Sequence, residues 1–173
     1  RPESGPGRGS PSGSTTVSIG HGPEWVPQSL SVLVSEDTTL TVQLHSFLDM
    51  RALGFYSGDV HVHSQHPPID FEVLTANALR IARSEDLAVL NLLDQDYRFI
   101  GDVDPLSDAR TLLYYSYEYR NLTMGHVALP GLREKVDWGC CPAPFELWPM
   151  LSDIAAQVAG PNRALFVLAH PVT

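Results

Sequence analysis

The run Leu87-Ala88-Val89-Leu90-Asn91-Leu92-Leu93 offers solvent almost no polar side chain on either face of an extended strand. Strands of that kind are buried on both sides, as in parallel sheets covered by helices. The neighbouring pattern agrees. FYSGDVHVH (55–63) reads as a strand, and 70–84 as a helix that places Phe71, Leu74, Ala78 and Ile81 on one face behind Asp70 as N-cap. TLLYYSYEY (111–119) and GHVALPGL (125–132) read as further strands. A second helix follows, with Pro149 in its first turn and Gly160 at its C-terminal cap, and ALFVLAH (164–170) makes the last strand. Strand and helix alternating in this way predict an α/β domain over 53–173 with a parallel, barrel-like sheet.

Upstream the pattern is different. TTVSI (15–19), SLSVLV (29–34) and TLTVQLHSF (39–47) alternate with period two and are separated by the turn formers GHGPE and SEDT, so 15–52 reads as a small antiparallel β segment. Residues 1–14 are almost wholly Gly, Pro, Ser and charge, a composition that buries too little apolar surface to order itself, and they read as a disordered linker. No apolar run approaches the roughly 20 residues of a membrane span, which predicts a soluble chain with no membrane span. A net charge of −9 with 11 scattered Lys and Arg argues against a surface for nucleic-acid phosphates, so no nucleic-acid partner is expected. The adjacent Cys140 and Cys141 make no disulfide framework.

Chemistry concentrates at strand ends. His61 and His63 are separated by one residue in GDVHVH and therefore project from one strand face, where two imidazoles can share a metal. Asp94 ends the apolar run LAVLNLLD, Glu118 ends TLLYYSYE, and His170 ends ALFVLAH. Four successive strands thus bring a metal-capable side chain to the same end of the expected sheet, where α/β barrels gather their catalytic groups. His126, at the start of the next apolar strand, can reach back to the same centre. Arg120 follows Glu118 by two residues on the same side of an extended strand, suited to an anionic group of a substrate or to a salt bridge. Trp25, Trp138, Trp148 and the tyrosines from Tyr114 to Tyr119 read as core or pocket-wall aromatics.

GFYSGDVHVHS, then an apolar strand ending in Asp, then SYEYRNLTMGHVALPGL, then FVLAHP, together resemble the metal-dependent hydrolases of the PHP superfamily. The phrase Y-S-G-D-x-H-V-H points to the CehA/McbA branch, and the likeness spans roughly 53–173, the N-terminal part of such a domain. The resemblance implies an incomplete PHP-type (β/α)7 barrel preceded by a small antiparallel β segment, with two or three divalent ions, Zn, Mn or Fe, at its mouth, of which the departures noted below favour two. It implies His61 and His63 as first ligands, Glu118 as the carboxylate bridging two ions, and His126 and His170 on the second ion. Asp94 joins the metal set, with Glu118 and Arg120 as the catalytic residues. The implied activity is hydrolysis of a phosphoester, ester, carbamate or amide bond of a small-molecule substrate by a metal-activated water. A location outside the cytoplasm, periplasmic or secreted, is favoured on the same ground. Two positions depart from the family pattern: Ser64-Gln65-His66-Pro67-Pro68 lacks the acidic residue expected after H-x-H, and Asp94-Gln95 stands where Asp-His is usual. The late Asp-x-His that completes the family's site is expected beyond Thr173, or does not exist. These gaps keep a second reading open, a degenerate, non-catalytic module binding a carbohydrate or protein partner.

Overall fold

The computed structural model describes residues 13–35, 37–66, 69–93, 98–121, 125–137 and 148–170; at 65, 66, 69–72, 121, 148–151, 161, 162 and 170 the description extends to the backbone alone. The chain divides into two compact units, Arg1–Leu53 and Gly54–Thr173.

In the first unit, β1 (Gly13–Ile19) and β2 (Gln28–Val34) pair antiparallel, from Gly13↔Val34 to Ile19↔Gln28. Gly13 and Ser14, grouped with the linker by composition, are thus in a strand. The chain turns between the two strands at Gly22, whose φ of +83° suits a residue without Cβ. The third strand expected over 39–47 is not formed. That stretch meets the loop before β2 instead, through the Trp25↔Ser46 bridge and the Val26 N–His45 O and Phe47 N–Glu24 O hydrogen bonds. Leu40 and Phe47 consequently stay exposed.

The second unit opens with β3 (Gly58–Val62), the short strands β4 (Gln65–His66) and β5 (Ile69–Glu72), and the helix α1 (Thr75–Ser84). Then come β6 (Val89–Leu92) and β7 (Leu112–Tyr115), which with β3 form a parallel sheet in the order β3-β6-β7. The apolar run supplies the central strand. α1 covers one face, burying Ala78, Leu79 and Ala82 against Leu90, Leu92, Leu113 and Tyr115. Two alanines in that stripe bring the helix close to the sheet, and each buried leucine contributes about 1.5–3 kcal/mol. The helix starts later than its periodicity suggested, with Leu74 at its N-cap, while Asp70 and Phe71 belong to β5. Leu74 and Ile81 are exposed, so the buried face is Ala78-Leu79-Ala82 and not the Phe71-Leu74-Ala78-Ile81 stripe.

A second sheet, antiparallel and ordered β10-β9-β8, is built from β8 (Glu118–Asn121), β9 (Gly125–Ala128) and β10 (Val167–His170). Tyr117, Tyr119, Val127 and Leu129 of this region pack with Leu132, Val136, Ile154 and Val158, the last two from α2 (Trp148–Gln157) and the π-helical turn Val158–Asn162 that follows it. Gly160 lies inside that turn. The left-handed cap is Arg163, at φ +50°, so Gly160 is not the cap residue.

The incomplete (β/α)7 barrel is not what the chain forms. Among the described residues there are two α-helices, the strands fall into four separate sheets, and no sheet closes. The expected strand 111–119 breaks at Ser116 and Tyr117, so that β7 ends the parallel sheet and β8 begins the antiparallel one. Only three residues separate Asn121 from its partner Gly125, whereas a parallel crossover takes about a dozen or more. β9 must therefore return antiparallel, and the alternation that a barrel requires stops there. No helix among the described residues is long and apolar enough to cross a membrane.

Candidate metal centre

Side chains alternate across a strand, and on β8 that rule separates core from chemistry. Tyr117 and Tyr119 turn into the hydrophobic cluster, and Glu118 and Arg120 take the opposite face. On β3 the same rule sends Val62 to the core beneath α1 and frees His61 and His63 for the other side. Asn91 shares that side, since its neighbours Leu90 and Leu92 both belong to the core under α1. The polar faces of the two sheets therefore meet around Glu118.

Its carboxylate is the hub. His61 Nε2 lies 3.0 Å from Oε1 and His63 Nε2 3.4 Å from Oε2, with the two rings edge to face at a centroid distance of 5.1 Å. His126 Nδ1 is 2.9 Å from Oε1, and Arg120 Nε donates to Oε2 at 2.9 Å. The Glu118 side chain is 3% exposed, against 23% for His61, 17% for His63, 35% for His126 and 33% for Arg120. The carboxylate is thus buried beneath rings and a guanidinium that are partly exposed to solvent. Burial raises the Glu118 pKa, but the Arg120 hydrogen bond and the charges of His63, Arg120 and His126 outweigh it, and the net direction is down. Glu118 is ionised at neutral pH.

His61, His63 and Glu118 form a group that can hold one metal ion, each offering a donor atom within 4.8 Å of the others. Donors placed about 2.0–2.2 Å from a single tetrahedral ion stand roughly 3.3 Å apart; His61 lies 3.0 Å from Oε1 and His63 3.4 Å from Oε2, so each imidazole is at about that range from a different oxygen of the carboxylate. Two imidazoles and a carboxylate are also the donor types that suit Zn, Mn and Fe.

Of the other residues expected at the site, His126 touches Glu118 but lies outside the group whose donors all converge. His170 is the backbone partner of His126 across β9 and β10, and Arg120 is its partner on the β8 side, so the three occupy one row of the sheet. Asp94 lies outside the described residues, as do Gln95, Trp138, Cys140 and Cys141. The structure also brings in Asn91 and Ser116, which sequence reasoning passed over. Asn91 Nδ2 donates to Ser116 Oγ at 2.7 Å and to Val60 O at 3.2 Å. A lone Asn inside an otherwise apolar strand was the available signal.

No family model matches the chain, and no curated protein or solved structure matches it.

Proposed function

We propose that this chain is a metal-dependent hydrolase whose centre holds one divalent ion on His61, His63 and Glu118. The convergence of these three donors carries the reading. Three protein ligands leave a coordination position for water or substrate, which is the pattern of catalytic rather than structural zinc sites. An ion bound there supplies Lewis acidity, lowering the pKa of water and polarising an ester, amide, carbamate or phosphoester oxygen.

The chain's own residues set the rest. His61 and His63 enter as neutral imidazoles, with both Nε2 atoms directed at the carboxylate. Arg120 pins Oε2 and compensates the buried charge, and this argues for one ion rather than two. A second cation bridged by Glu118 would sit against a guanidinium already 2.9 Å from that oxygen, and like charges at such range repel strongly in a low-dielectric site. His126, on Oε1, orients the carboxylate from the other edge. The resemblance to PHP hydrolases supports the reaction class; the barrel that it implied does not form and lends no support.

The test is metal content and turnover in the same preparations. Elemental analysis of protein purified without chelator should give about one equivalent of Zn, Mn or Fe, and His61→Ala and His63→Ala should each lose most of it. Hydrolysis of a chromogenic ester or phosphoester should fall with the metal. One equivalent without turnover of any ester, amide or phosphoester would support the non-catalytic module instead. Unchanged metal content in the double variant would overturn the ligand assignment.

A further inference from the structure

Arg120 is held to Glu118 through Nε alone. Its two Nη groups make no hydrogen bond or ion pair among the described residues, and the side chain is 33% exposed. A guanidinium anchored by Nε still presents the Nη1/Nη2 edge, two parallel donors whose spacing matches the two oxygens of a carboxylate. That edge adjoins the metal group directly, because Arg120 Nε and His63 Nε2 approach the same oxygen of Glu118, at 2.9 and 3.4 Å.

We propose that Arg120 is the specificity residue of this centre, docking a ligand's carboxylate end-on while another polar group of the same ligand occupies the open position at His61, His63 and Glu118. The inference rests on the metal reading above and adds the ligand class: a short, carboxylate-bearing small molecule with its second polar group only a few bonds away. Carboxylate is favoured over phosphate by the donor count. Phosphate sites gather several cationic or backbone N–H donors, and among the described residues Arg120 is the only Lys or Arg that contacts Glu118. One planar fork satisfies one planar monoanion.

The test uses the full chain loaded with cobalt(II), whose visible absorption bands report ligands entering the metal's coordination sphere. Bound cobalt is measured first in wild type, Arg120→Lys and Arg120→Gln, and each protein is then titrated with succinate, with its neutral analogue succinamide, and with inorganic phosphate. Succinate should bind wild type at least tenfold more tightly than Arg120→Gln. Arg120→Lys, which keeps the charge but loses the fork, should be weakened severalfold with its cobalt bands intact. Succinamide should be indifferent to the substitution. Equal succinate affinity in all three proteins, or an equal loss for succinamide, would overturn the proposal; a larger loss for phosphate than for succinate would overturn the carboxylate assignment. If wild type took up no cobalt, the metal reading would fail first. Calorimetric titration of the metal-free proteins with succinate would then still register the fork as a difference between wild type and Arg120→Gln, and no difference there would overturn it too.

Discussion

Asn91 has a buried amide whose two ends are unequally served. Nδ2 donates to Val60 O and Ser116 Oγ, while Oδ1 has no hydrogen-bond partner among the described residues and is shielded from solvent. Asn91→Leu alone should cost about 1–3 kcal/mol, because it leaves the buried Ser116 hydroxyl unpaired. Asn91→Leu combined with Ser116→Ala should cost less than the single change, since both partners are then apolar. Urea denaturation of the four proteins in the cycle measures this, and additive losses would contradict it. Tyr115 shows the opposite case, a polar group fully employed. Its hydroxyl donates to Asp104 Oδ2 at 2.7 Å and pairs with Thr75 Oγ1 at 3.0 Å. Burial first, then the Asp104 contact, pushes the Tyr115 pKa up to about 12 from 10.0, against an opposing hydrogen bond from Thr75. A raised folded-state pKa means that the contribution to stability is complete below the unfolded value of about 10 and is lost as pH climbs toward 12. Alkaline titration of tyrosinate absorbance should therefore lose a step near pH 12 in Tyr115→Phe. At this scale the sequence was informative where spacing alone fixes direction. His61 and His63, with one residue between them, must share a face, and so must Glu118 and Arg120. The Asn91–Ser116 pair spans 25 residues, and nothing in the spacing announces it.

Elements were legible as types more than as bounds. The apolar run at 87–93 reads as a doubly buried strand because no other element hides both faces of so short a segment, and β6 is the middle strand of a parallel sheet. α1 was misphased because Phe71, Leu74, Ala78 and Ile81 satisfy helical periodicity as well as Thr75, Ala78, Leu79 and Ala82 do. Tertiary packing decided between them, favouring the stripe with two alanines that fits close to the sheet. The break between β7 and β8 left no mark, since Ser116 and Tyr117 suit a strand interior as well as a corner. Connections place a second demand on sequence, and Gly101 shows it. Its φ is +69°, and a Cβ there would overlap the Arg133 carbonyl. Gly101→Ala should combine backbone strain with that clash and lower stability by at least about 2 kcal/mol. Gly54→Ala, at φ +83° with open space around it, should cost only the strain, about 1 kcal/mol. Thermal melts of the two variants should rank them in that order, and a Gly101→Ala melt equal to wild type would refute the assigned close approach.

The whole second unit is held by two hydrophobic clusters that share Phe99 at their margin, where it stacks on Tyr117 at 5.3 Å. The metal group offers a second connection of a different kind. His61 and His63 come from β3 or its end, in the parallel sheet, and Glu118 from β8, in the antiparallel one. An ion there would tie the sheets across the break at Ser116 and Tyr117. Unfolding would separate Glu118 from the His61–His63 pair, so metal that binds the native state more tightly than the unfolded chain stabilises by mass action. At free metal a hundredfold above Kd the gain is about 2.7 kcal/mol, worth several degrees in Tm for a domain of this size. Protons compete for the same three groups. Imidazoles must be neutral to coordinate, so protonation opposes the ion and the metal-dependent part of Tm should shrink as pH falls. Glu118 resists this loss, because its lowered pKa keeps it ionised to more acid pH than an ordinary carboxylate. Differential scanning calorimetry with and without Zn or Mn, at neutral and at acid pH, reads the effect directly. EDTA should return the melt to the metal-free value, and His63→Ala should show no metal-dependent shift at either pH. A shift that persisted in His63→Ala, or that was unchanged in acid, would place the stabilising ion somewhere other than between these two sheets.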